Sequence, residues 1–173
     1  MTSAVLQPSG TSPSIRKYVW ERLLDAEMND RYWRDRAAIY ATREKGLKIF
    51  LAITSSGTVA GWVVWQNFHL LWQVLSGMSA LLAIALPILD YTGQVERASD
   101  VRKGWWELTT EYNRVWVRID LDTDASIQEK TLPLEAKELN LVKIESRYFS
   151  RDETLIRKAQ QDVLRARGLP SSK

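Results

Sequence analysis

Two short stretches combine cations with aromatic rings: Arg147, Tyr148 and Arg151, and Arg102, Lys103, Trp105 and Trp106. A guanidinium pairs with phosphate and a ring stacks on a base, so either stretch suits a nucleotide or oligonucleotide ligand. The competing reading is structural. The arginines would pair with the acidic segment 90–142, which carries eleven Asp/Glu against seven Lys/Arg, and the rings would enter a core. A second set is neutral: Thr54, Thr58, Gln73, Ser76 and Ser79 place hydroxyls and one amide inside otherwise apolar runs. Such groups line a weakly selective aqueous path, or hydrogen-bond one helix to another. Both uses are open.

Other chemistry is excluded or unsupported. There is no Cys and only one His, which removes disulfides, thiolate ligands and any imidazole cluster, so no metal site is expected. Phosphate-cradling glycine loops and the G-x-S-x-G nucleophile turn are absent, no cofactor is implied, and the chain is expected not to be an enzyme. Asp120, Asp122 and Asp124 suggest a calcium loop, but the sixth position is Ala125 and the twelfth is Thr131. An acidic turn is the better reading.

The elements that position these residues start from two apolar runs. Residues 47–65 contain one charge, Lys48, and residues 70–89 contain none. As helices each is roughly 28–30 Å long, about one bilayer core, and four residues join them. The expected fold is therefore an all-α membrane protein: a two-span transmembrane helical hairpin over 47–89 with long cytoplasmic helical extensions, forming an oligomer. Gly57 and Gly61 make a G-x-x-x-G pair and, with Gly77, allow close helix packing. The 66–69 loop lacks Lys and Arg, while Arg43, Lys45, Lys48, Arg97, Arg102 and Lys103 flank the other side. The expected placement is multi-pass in a bacterial inner membrane with both termini cytoplasmic.

Around the hairpin, residues 1–12 read as a disordered leader. Residues 13–46 read as helices entering the membrane, with Pro13 at a helix start and a break at Asn29–Asp30. Residues 90–124 form a long helix, with Trp105, Leu108, Tyr112, Val115, Trp116 and Ile119 on an apolar stripe and Gly93 and Gly104 as weak points. Residues 125–173 form a helical end segment. Thr131, Leu132 and Pro133 should interrupt it, and Ser150 with Glu153 should form a capping box for the last helix.

This layout, a basic aromatic helix (RYWRDRAAIYATREKGLKIF), a tight hairpin and a long aromatic helix (GWWELTTEYNRVWVRIDLD), resembles the SLATT group of bacterial two-transmembrane effectors. The resemblance covers about residues 13–124. It implies an oligomeric pore, with a tetramer the expected order, that arrests the infected cell in antiphage defence. It also implies gating through the cytoplasmic helices by a nucleotide or oligonucleotide from a partner nucleotidyltransferase, as in the branch resembling the Hailong membrane effector. Membrane lipid would be a further partner. The alternative is a non-conducting membrane anchor or scaffold that recruits a soluble partner.

Overall fold

The structure, a computed structural model, describes residues 11–64, 73–74, 77–82, 84 and 90–170, with side chains described outside 54–64. Every described element is helical: α1 (Pro13–Val64), α2 (Tyr91–Val117), α3 (Asp124–Tyr148) and α4 (Glu153–Ala166). Two compact units are present, Met1–Asp35 with Ser99–Lys173, and Arg36–Ala98.

Among the described residues no helix is long and apolar enough to cross a membrane. This corrects the expected transmembrane hairpin, the multi-pass inner-membrane placement, and the reading as a membrane channel or pore. The physical reason lies in α1. Over its described residues the last charge is Lys48 and the uncharged part covers 49–64, on the order of 24 Å against a hydrocarbon core of ~30 Å. Thr54, Ser55, Ser56, Gly57, Thr58 and Gly61 occupy much of that length.

The first unit is built on regular apolar spacing. Val19, Leu23, Ala26 and Trp33 of α1 are buried, as are Val101, Trp105, Leu108, Tyr112 and Val115 of α2. The steps of three, four and seven place each set on one helix face. Ile127 and Leu134 of α3 and Ala159 and Val163 of α4 complete the core, with Ile119 from the turn after α2. Full burial of each Leu, Ile or Val contributes about 1.5–3 kcal/mol. The Trp20 and Trp116 rings meet at a tilt of 41° with 4.9 Å between centroids. A Cβ on Gly104 would lie 2.6 Å from Leu141 Cδ2, so α2 and α3 pack closely at that glycine.

Two expected helix breaks are absent. Asn29 does not end a helix: its amide donates to the Asp25 carbonyl at 3.0 Å inside α1, and Asp30 pairs with Arg102 at 3.6 Å. Pro133 lies inside α3, where burial of Ile127, Thr131 and Leu134 on one face holds the helix together. The last helix is capped by Asp152, not Ser150; its carboxylate accepts from the Thr154 and Leu155 amides. Asp124 opens α3 after the Thr123 cap. The acidic turn is tied to the chain start. The Thr11 hydroxyl donates to the Ile119 carbonyl, Ser12 N donates to Asp124 at 2.9 Å, and Arg16 pairs with Asp120.

In the second unit, Glu44 accepts from Lys48 and from Thr92, each at 2.6 Å. Asp90, at φ 40°, accepts from Arg97 at 2.7 Å and from the Gly93 amide at 3.2 Å. A Cβ on Gly93 would fall 2.4 Å from the Asp90 carboxylate, so this approach requires glycine.

Candidate ligand groove

A groove of about 630 Å³ lies between the end of α2 and the first half of α3. Val115, Val117, Pro133 and Leu134 form its apolar wall, and Arg114, Arg118, Lys130 and Lys137 bring four cations against the two carboxylates of Glu111 and Asp122. Helical spacing gathers them: Arg114 and Arg118 are one turn apart, and Lys130 and Lys137 two turns apart. Arg114 bonds Glu111 at 2.6 Å and Lys130 bonds Asp122 at 2.6 Å. Among the described residues, Arg118 and Lys137 enter no ion pair, and both are exposed. Two uncommitted cations beside an aliphatic wall suit an anion that carries an apolar portion.

The ligand candidates drawn from the sequence do not converge on this groove. Trp105 is buried and its indole donates to Glu145. Arg102 pairs with Asp30, while Lys103 is exposed. Trp106 stands with more than half of its surface open. Arg147 lies over the Tyr148 ring at 5.3 Å, and Arg151 pairs with Glu153 at 3.1 Å. Of the polar groups in the apolar runs, Gln73 is exposed and Ser79 partly exposed, both on helical backbone. Thr54, Gly57, Thr58 and Gly61 lie on α1 backbone, with the side chains of Thr54 and Thr58 outside what is described. Ser76 lies outside the described residues. Gly77 is helical and exposed, and a Cβ there would meet nothing within 4 Å.

Behind the groove, on the inner face of α3, sits a polar cluster. The Tyr18 hydroxyl donates to Glu135 at 2.5 Å, and Arg22 donates to Glu138 at 3.0 Å while its guanidinium lies 5.3 Å from the Tyr18 ring centre. Burial pushes the Tyr18 and Tyr112 phenols and the Glu138 carboxyl up. Asp35 behaves oppositely. Burial raises its carboxyl, but hydrogen bonds from Lys158 and Arg34 overcome this and hold it below the usual range.

The groove cations were missed from sequence because they lie on two helices joined by an acidic turn, in a segment whose net charge is negative. The usable signal was spacing, Arg114 with Arg118 and Lys130 with Lys137, on helices whose opposite faces are apolar. Comparison with known proteins returned no matching family model, no matching curated protein and no matching solved structure.

Proposed function

We propose that the chain is a non-catalytic, ligand-responsive helical effector whose α2–α3 groove binds a phosphate-bearing ligand with an apolar portion, the nucleotide and oligonucleotide class among them. The observation that carries this is the pair Arg118 and Lys137, two cations without ion-pair partners on the rim of an aliphatic-walled groove. Phosphate needs charge-assisted donors, which the two residues supply without breaking an existing bond. Arg114 and Lys130 are a reserve, since a second phosphate can compete with Glu111 and Asp122 for them.

The resemblance to SLATT effectors supports a nucleotide signal over other amphiphilic anions. It makes antiphage defence the setting, a nucleotidyltransferase the partner that supplies the ligand, and a homo-oligomer the working state. Titration of the full chain with a fluorescent adenine nucleotide, followed by anisotropy, tests the reading. Saturable binding that weakens with added salt and is lost in Arg118→Ala supports it. Absence of binding by nucleotides and by inorganic phosphate rejects it.

A further inference from the structure

The outer face of α3 carries an uncovered apolar strip. Leu132 is 68 % exposed, Leu139 63 % and Val142 46 %, and Ala136 among them is exposed as well. At about 100° per residue, Leu132, Ala136 and Leu139 fall within about 60° of one another, and Val142 borders them. Ile127, Thr131 and Leu134 enter the core from the other side of the helix. Lys130 and Lys137, which line the groove, lie on a third face. An exposed strip of aliphatic side chains on one helix marks a contact surface.

Two charges fit that strip to one occupant. Glu129 and Lys143 stand on the same edge of it, fourteen residues apart, with Ala136 midway between them. Both are exposed, and among the described residues neither enters an ion pair. We propose that α3 pairs antiparallel with α3 of a second copy of this chain through Leu132, Ala136, Leu139 and Val142. The two-fold axis passes at Ala136, and Glu129 of each copy pairs with Lys143 of the other.

In a two-fold interface, if one residue meets a second, the second meets the first, so a single register closes both ion pairs. Parallel pairing would instead set Glu129 beside Glu129 and Lys143 beside Lys143, and like charges oppose it. In the antiparallel register Leu139 packs beside Leu132 of the other copy. Ala136, the smallest side chain of the strip, lies at the crossing, where little bulk keeps the helix axes apart. The same patch is used by both copies, so the assembly closes at two. Lys130 and Lys137 stay outside the interface, so pairing and nucleotide binding fail or succeed separately.

The full chain has no cysteine, so a single introduced thiol reads the register. Ala136→Cys sets two thiols at the axis, within disulfide reach at about 6 Å between Cα atoms. Ser146→Cys, also exposed on α3, sets them roughly 30 Å apart. Under mild oxidation Ala136→Cys is expected to give a disulfide-linked dimer, and Ser146→Cys is not. Sedimentation of the full chain reads the charges. Glu129→Lys and Lys143→Glu are each expected to weaken association about tenfold, and the variant carrying both to restore it. The pairing is overturned by Ala136→Cys that links no better than Ser146→Cys, or by a chain that stays monomeric at the highest concentration measured. Association that neither single reversal weakens overturns it as well.

Discussion

Trp33 of α1 and Trp105 of α2 donate their indole N–H groups to the same oxygen of Glu145 on α3, the first at 2.6 Å. Both rings are almost wholly buried. One carboxylate therefore ties together three helices. Phe149 closes the arrangement edge-on to Trp33 at 4.7 Å. Replacing Glu145 by Ala leaves two buried donors without their acceptor, which costs about 2–5 kcal/mol at the usual penalty per group. Glu145→Gln keeps an acceptor and should lose clearly less. Denaturant unfolding of both variants checks the ordering.

Pro133 lines the groove from inside α3 and cannot donate to the Glu129 carbonyl. An interior proline costs a helix about 3 kcal/mol relative to Ala. Pro133→Ala should therefore stabilise the chain by about 1–3 kcal/mol, seen as a higher denaturation midpoint with unchanged slope.

Two glycines inside helices should respond differently to alanine. A Cβ at Gly46 meets nothing within 4 Å, so Gly46→Ala should gain about 0.5–1 kcal/mol from reduced backbone freedom. At Gly104 the same change must displace Leu141, so it should gain less or lose. In a Leu141→Ala background the Gly104→Ala change should recover the gain. A double-mutant cycle on thermal stability measures that coupling.

The Asp35 carboxyl, held low by Lys158 and Arg34 against its burial, sets an acid limit. Its pairing contributes stability above the unfolded carboxylate value and loses it as pH falls through the lower folded value. The pair is partly exposed, so the effect should stay under about 1 kcal/mol. Asp35→Asn should lower stability at neutral pH and converge with the wild type at strongly acid pH. Melts across that range are the check.

Much of the helical framework was legible. Pro13 opens α1, the α2 stripe of Trp105, Leu108, Tyr112, Val115 and Ile119 is buried, and Gly168 lies just beyond the last helix at φ 66°. Local break signals misled where tertiary packing outweighed them. Pro133 and Asn29–Asp30 are poor helix interiors in isolation, but their neighbours Ile127, Leu134, Ala26 and Trp33 are core residues, and burial holds the turns in register. The apolar stretch misled differently. Absence of charge over 49–64, with basic flanks, reads as a span in sequence, but Thr54, Ser55, Ser56, Gly57, Thr58 and Gly61 dilute its apolar character. The groove was hidden because its cations come from two helices, and its free pair, Arg118 and Lys137, is defined by which neighbours already have partners, a property of the fold alone.

On the proposed function, Arg118 and Lys137 hold a phosphate in the α2–α3 groove. Calorimetric titration of the full chain with an adenine nucleotide, in the wild type and in Arg118→Ala, Lys137→Ala and the double variant, tests it most directly. Saturable wild-type binding is expected, with a loss of about 10–100-fold in each single variant and no detectable binding in the double one, as for charge-assisted bonds of about 1.5–3 kcal/mol. Wild-type binding that survives in the double variant would contradict it, as would no binding of the nucleotide at all.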